Sequence, residues 1–178
     1  MATPPRIALA GAHGTGKSTL LRNLAARLPG LAALPELART IMLEWNELAQ
    51  NMDEPRRAQF QEEILRRTLA RENAAWESGF ITDRCVVDNL AYARGLPNYP
   101  ALLAAAKAHL ANSPYTHVFL VKKMFPPKAD GLRTTDESYQ EEIERRIVEL
   151  FEELGVPYSV VTSFGKMERV EEVLRKIT

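Results

Sequence analysis

The chain has 178 residues, 46% of them hydrophobic and 26% charged, with 23 basic against 23 acidic side chains and a formal net charge of +0. That size suits one domain (1–178) with a full core, and the balanced charge argues against a protein held on nucleic acid by bulk charge, although a local basic groove stays open. The single cysteine, Cys85, excludes an internal disulfide framework and a thiolate zinc cluster; with no bilayer-length apolar run and no signal-peptide pattern at the N-terminus, the expectation is a cytoplasmic protein with no membrane partner.

Arg6-Ile7-Ala8-Leu9-Ala10 is a short apolar run that reads as a buried strand. It leads into Gly11-Ala12-His13-Gly14-Thr15-Gly16-Lys17-Ser18, two glycines flanking four residues before a lysine and a hydroxyl residue. That spacing is the phosphate-binding P-loop. Gly11, Gly14 and Gly16 can take backbone angles that a Cβ forbids, so the loop can turn its N–H groups inward onto phosphate oxygens. Lys17 supplies a charge for the β- and γ-phosphates, and the Ser18 hydroxyl can ligate Mg²⁺. Thr15 and Thr19 complete the predicted nucleotide contacts, and His13, at a variable position, tunes the loop rather than catalyses. A helix follows with Leu20, Leu21, Leu24, Ala25 and Leu28 at helical spacing, and Pro29-Gly30 stops it.

Leu31 to Leu34 reads as a weak second strand, followed by Pro35-Glu36 and a helical stretch carrying Leu37, Ile41, Trp45 and Leu48. Glu36 and Arg39, three residues apart, share a face. They suit acceptor binding, or proton removal by Glu36 with Arg39 as a clamp; the bland alternative is a surface ion pair. Asp53 is a plausible N-cap, with Pro55 in the first turn of a long helix from about Glu54 to Ser78 that turns Phe60, Ile64, Leu65, Leu69 and Trp76 inward. Its basic cluster Arg66-Arg67-Arg71 reads first as a solvated face.

Phe80-Ile81-Thr82 is a short strand that delivers Asp83-Arg84 at its carboxyl end. Asp83 is placed to hold Mg²⁺ or to take a proton from an acceptor hydroxyl, or else to cap the next helix. Arg84 can pair with phosphate or orient Asp83. Helices around Val86–Arg94 and Ala101–Ala111 flank a turn-rich segment, and Asp88, Asn89 and Tyr92 share a face that can line an acceptor pocket or a solvated edge. Cys85 reads as buried and inert, and His109 and His117 as structural.

Thr116 to Val121 is the clearest strand, and the irregular stretch beyond it contains Asp130-Gly131-Leu132-Arg133 and a second basic cluster, Lys122, Lys123, Lys128 and Arg133. A lid at about residues 124–137 can bring Arg133 to a transferring phosphoryl group and exclude water. A helix from about Asp136 to Leu154 closes at Gly155, Val156 to Thr162 is a last strand, and a final helix carries Val170, Val173, Leu174 and Ile177. Strands alternating with helices predict an α/β, three-layer fold of the P-loop NTPase type: a five-stranded parallel sheet with helices on both faces and a short lid.

In its P-loop, Pro35-Glu36-Leu37-Ala38-Arg39, Thr82-Asp83-Arg84, Asp130-Gly131-Leu132-Arg133, Gly155-Val156-Pro157-Tyr158 and Glu168-Arg169, the chain resembles the P-loop nucleoside and nucleotide kinases. It is similar to the small AAA-type kinase-like group that holds nicotinamide riboside kinase domains and phage kinases acting on 5-hydroxymethyluracil in DNA. The resemblance implies a sheet in kinase strand order, Mg-ATP as donor, and an acceptor hydroxyl held between Glu36 and Asp83. It also implies an adenine near Thr162 to Gly165. Catalytic roles then fall to Lys17, Asp83, Glu36 and Arg133, acceptor contacts to Glu36, Arg39, Arg84, Asp88 and Tyr92, and the metal to Ser18 and Asp83. A nucleoside-like acceptor is the first expectation and DNA an alternative, in a monomer or homodimer. A nucleotide-hydrolysing switch or a regulatory module would use the same P-loop.

Overall fold

The computed structural model describes residues 4–123 and 136–177. Its centre is strand β1 (Arg6–Ala10), buried along its whole length. Alternation along the strand sends Ile7 and Leu9 to one face and Ala8 and Ala10 to the other. Helices α1 (Lys17–Arg27) and α7 (Lys166–Ile177) cover the first face through Leu20, Leu21, Leu24, Val170 and Val173. Helices α3 (Glu54–Ala74), α4 (Val86–Ala93), α5 (Tyr99–Asn112) and α6 (Glu137–Leu154) cover the second. The small alanines of β1 let that thicker layer pack close.

Strands β2 (Ala32–Leu34), β3 (Phe80–Asp83), β4 (His117–Val121) and β5 (Ser159–Val161) join β1 in a parallel sheet of order β2-β3-β1-β4-β5. The chain passes from β1 to the edge strand β2 and back to β3 on one side of β1, then to β4 and outward to β5 on the other. The carboxyl end of β1 is therefore the switch point, where parallel sheets open a crevice for ligands. Helix α2 (Leu37–Trp45) leaves the end of β2 and packs its Ile41 and Met42 on Phe60 and Ile64 of α3, outside the main layers. A hollow remains between that outlying pair and α4.

Local chemistry sets the ends. Asp53 caps α3 by accepting from the Arg56 N–H at 2.9 Å, Asp136 caps α6 through the Ser138 N–H at 2.9 Å, and Gly155 closes α6 at φ 63°. The expected spans shift by three residues or more at three ends. Helix α2 stops at Trp45 rather than Leu48 because Asn46 takes the left-handed conformation (φ 49°) and a short 3₁₀ turn, Ala49–Asn51, follows. Helix α3 loses regularity at Ala74 rather than Ser78, where its last turns loosen toward Gly79, whose N–H meets the Ala75 carbonyl at 2.9 Å. Strand β5 starts at Ser159 rather than Val156, since the Val156 N–H is still closing α6 on the Phe151 carbonyl at 2.9 Å. The expected lid as far as residue 135, with its Asp130 to Arg133, lies outside the described residues, and its last two positions, Asp136 and Glu137, cap and begin α6. No helix among the described residues is long and apolar enough to cross a membrane.

Candidate functional site

The P-loop occupies the switch point. Gly11, at φ 139°, passes so close to β4 that a Cβ there would lie 2.5 Å from the Val121 carbonyl oxygen. Four side chains from other elements hold the loop by its backbone. The Asp88 carboxylate accepts from the Gly11 N–H at 2.9 Å and the Tyr92 hydroxyl from the His13 N–H at 3.1 Å. Gln140 donates to the His13 carbonyl at 2.6 Å, and Arg169 to the Thr15 carbonyl at 2.9 Å. Gly16 starts α1 from the left-handed region without a side-chain cap, and no acidic residue sits in the first turn. The positive end of α1 is left for an anion.

Gly14, Thr15, Gly16, Lys17, Ser18 and Thr19 line a hollow of about 220 Å³ whose far wall is Glu36, Asp83 and Arg84. Lys17 is buried with its ammonium turned back on the loop, donating to the Gly11 and Ala12 carbonyls at 2.8 and 2.6 Å. Burial first, and then the Arg84 charge, lowers its pKa to about 8, against the pull of Asp83, Asp88 and Glu36. A negatively charged ligand arriving beside it would offset both effects and favour the charged ammonium.

Asp83 ends β3 fully buried, and its Oδ2 accepts from the Ser18 hydroxyl at 2.5 Å. Its Oδ1 is buried without a partner among the described residues, an arrangement that costs free energy unless something else binds there. The Ser18 hydroxyl and the Asp83 carboxylate are hard-oxygen donors of the kind Mg²⁺ takes, and both line the hollow, so the residues fit that ion. No group of three His, Cys, Asp or Glu side chains forms a metal cluster among the described residues. Cys85, not Asp83, caps α4; its thiol is pushed well above its usual pKa by burial and then by Asp88, which makes it inert.

Glu36 is paired with Arg84 at 2.7 Å rather than with Arg39 as its spacing suggests. Arg84 reaches it from a left-handed backbone (φ 81°), and its guanidinium also lies 4.7 Å from the Tyr92 ring centre. Beyond this pair opens a second cavity of about 460 Å³ between α2, α3, α4 and α6. Glu36, Asp83 and Arg84 wall both hollows. Leu37, Met42, Phe60 and Ile64 form the apolar side of the cavity, and Tyr92, Tyr139 and His13 cluster at another.

Four expectations need correction. Asp88, expected at an acceptor pocket, does not line the second cavity, because both its oxygens serve the backbone N–H groups of Gly11 and Cys85. Arg39 stands on the exposed side of α2 and lines neither hollow. Gly11 lies beneath the phosphate hollow rather than in its wall, and His13 faces the second cavity. The Arg66-Arg67-Arg71 cluster is not one surface: Arg66 and Arg67 are bound by Glu63 and Glu44, while Arg71 turns inward to Thr82 at 3.3 Å and to the Pro35 carbonyl.

Gln61, Thr68 and Arg71 in the cavity wall were missed. Their signal is the helical period: they recur with Ile64 on one stripe of α3, and polar side chains in an inward stripe mark a cavity. Gln61 has a determined orientation. The Asn89 amide nitrogen must face the Gln61 backbone carbonyl at 3.1 Å, so the Gln61 atom 2.8 Å from that same nitrogen is its oxygen. The Gln61 NH₂ is the end left without a partner among the described residues.

The family model described as AAA domain matches residues 6–169. No curated protein matches the sequence. Among solved structures, the NadR protein in complex with NR superposes with a TM-score of 0.74 at 17% identity, over 98% of this chain and 50% of that one. The chain thus spans about half the length of the NadR chains it matches. Thymidylate kinase from Candida albicans gives a TM-score of 0.66 at 12% identity over 99% of this chain and 92% of that one. A deoxyadenosine kinase from M. mycoides gives 0.64 at 14% over 97% and 98%. At these identities the likeness is one of fold.

Proposed function

Because this chain belongs to the AAA-domain family, we propose that it is an ATP- and Mg²⁺-dependent kinase that moves the γ-phosphoryl group to a hydroxyl of a nucleoside-like acceptor. The observation that carries this is the meeting of two hollows, a phosphate cradle and a larger half-apolar cavity, at Glu36, Asp83 and Arg84. A hydrolase or a regulatory module needs no second cavity opening on the phosphate end. NadR in complex with NR, the thymidylate kinase and the deoxyadenosine kinase support a nucleoside or nucleotide as the occupant.

The P-loop N–H groups and α1 hold the β- and γ-phosphates, with Lys17 exchanging its carbonyl partners for phosphate oxygens. Ser18 and Asp83 would hold Mg²⁺, which supplies neutralisation of phosphate charge when bound. With Asp83 engaged by Ser18, Glu36, which walls the second cavity, is the carboxylate placed to face the acceptor and receive its hydroxyl proton. Arg84 orients Glu36 and cancels its charge, which leaves the junction better suited to a hydroxyl than to an acceptor phosphate. Arg133 remains the proposed lid cation. The Gln61 NH₂ donor and the apolar wall suit a flat ring bearing a carbonyl oxygen. DNA is the weaker alternative, since Arg66, Arg67 and Lys123 are already paired with Glu63, Glu44, Glu137 and Glu141.

Incubation with γ-labelled ATP, Mg²⁺ and a panel of nucleosides, nicotinamide riboside, nucleoside monophosphates and hydroxymethylated DNA tests the proposal. Label on a nucleoside hydroxyl is expected. Label on DNA alone would move the acceptor to the polymer, and free phosphate as the sole product throughout would exclude a kinase.

A further inference from the structure

Helix α7 carries two buried charged side chains one turn apart, Arg169 and Glu172, both on the side that faces the end of β5. Glu172 accepts from the N–H groups of Thr162 and Ser163 at 3.0 and 2.9 Å. Burial works against that carboxylate, but the hydrogen bonds from Ser163, Lys176 and Thr162 outweigh it and hold its pKa at about 2. Arg169 takes the opposite polarity of the same segment, donating to the Ser163 carbonyl at 2.9 Å. Its other arm crosses to the Thr15 carbonyl of the P-loop at 2.9 Å. The guanidinium packs so close that a Cβ on Gly16 would lie 3.1 Å from it. It is 7% exposed, and its second terminal nitrogen has no partner among the described residues.

The direction of the donor follows from the sheet order. Phosphates sit at the end of β1, and the acceptor cavity takes the β3 and β2 side. The remainder of the donor must leave toward β4 and β5, where the segment bracketed by Glu172 and Arg169 lies. Two large apolar side chains stand exposed there, Phe164 at 72% and Met167 at 53%. An aromatic ring so exposed is a stacking surface for a flat base.

We propose that Arg169, backed by Glu172, is a positioning residue that fixes the spacing between the phosphate loop and the loop that receives the donor's nucleoside end. The inference rests on the nucleotide-donor reading above. The planar fork of arginine reaches the two carbonyls from two separate nitrogens, Nε and Nη1, whereas a lysine offers all its donors from a single nitrogen. The P-loop is also held by Asp88, Tyr92 and Gln140, so the phosphate grip survives without Arg169. What is lost is the reward for the attached nucleoside.

The experiment is calorimetric binding of Mg-ATP and of Mg-tripolyphosphate to wild type, Arg169→Ala, Arg169→Lys and Glu172→Gln. Each variant is expected to weaken Mg-ATP by roughly tenfold while Mg-tripolyphosphate stays within about twofold. Equal weakening of both ligands would reduce Arg169 to a prop for the P-loop and overturn the inference, as would variants that bind both ligands like wild type. If Arg169→Ala does not fold, Arg169→Lys and Glu172→Gln decide by the same ratio. A wild-type protein that binds neither ligand would remove the donor site itself, a failure distinct from an unchanged ratio in the variants.

Discussion

Glu36 and Asp83 present two carboxylates to one junction with different commitments. Asp83 holds the Ser18 hydroxyl and keeps one oxygen without a partner among the described residues, whereas Glu36 is tied to Arg84 and walls both hollows. If Glu36 removes the acceptor proton, Glu36→Gln should lower kcat by about 10²- to 10⁴-fold with little change in the KM for ATP. Asp83→Asn should instead raise the Mg²⁺ concentration for half-maximal rate, by roughly tenfold or more. Steady-state kinetics at varied Mg²⁺ separate the two, and the opposite pattern would exchange the roles. Both carboxylates were legible as candidates because each follows a strand. Their division of labour was not, because it depends on Ser18 and Arg84, which lie 65 and 48 residues away from Asp83 and Glu36 in the chain.

Helix α4 shows how an element can be recognised and still misjudged. Its span from Val86 and its shared face of Asp88, Asn89 and Tyr92 could be read from the sequence, but the face proves to have two uses. Asp88 turns to the P-loop and to its own helix start, and Tyr92 touches the loop with its hydroxyl while the residue also lines the second cavity. Periodicity tells which residues share a side, not which neighbour that side meets. Asp88 is fully buried, so Asp88→Ala strands the N–H groups of Gly11 and Cys85, at about 1–3 kcal/mol each. Asp88→Asn should lose about half as much, since an amide accepts through only one of its two end atoms. Urea denaturation would measure this, and a variant as stable as wild type would show that α4 does not anchor the loop. Helix α3 teaches the converse: Gln61, Thr68 and Arg71 were passed over because a charged or amide side chain on a long helix is usually solvated, whereas here α2 roofs that stripe.

On the scale of the whole molecule, the parallel order β2-β3-β1-β4-β5 gathers P-loop, Glu36, Asp83 and Arg169 from four separate chain regions to one edge of the sheet. The alternation of strands and helices made that edge predictable, since ligands lie beyond the carboxyl ends of parallel strands. The layers joined there, α1 with α7 on one face and α3 to α6 on the other, meet through backbone groups of the P-loop. A ligand on that loop therefore binds a surface that exists only when both layers are assembled, and it should stabilise the entire fold rather than a local segment. At a free concentration 100 times its dissociation constant, Mg-ATP should add about 2.7 kcal/mol. In a chain of this length that raises Tm by roughly 5–11 °C. Lys17→Ala should unfold near the wild-type temperature without ligand and lose most of the increment with it. A thermal scan that finds the same increment in both proteins would place the nucleotide elsewhere on the molecule.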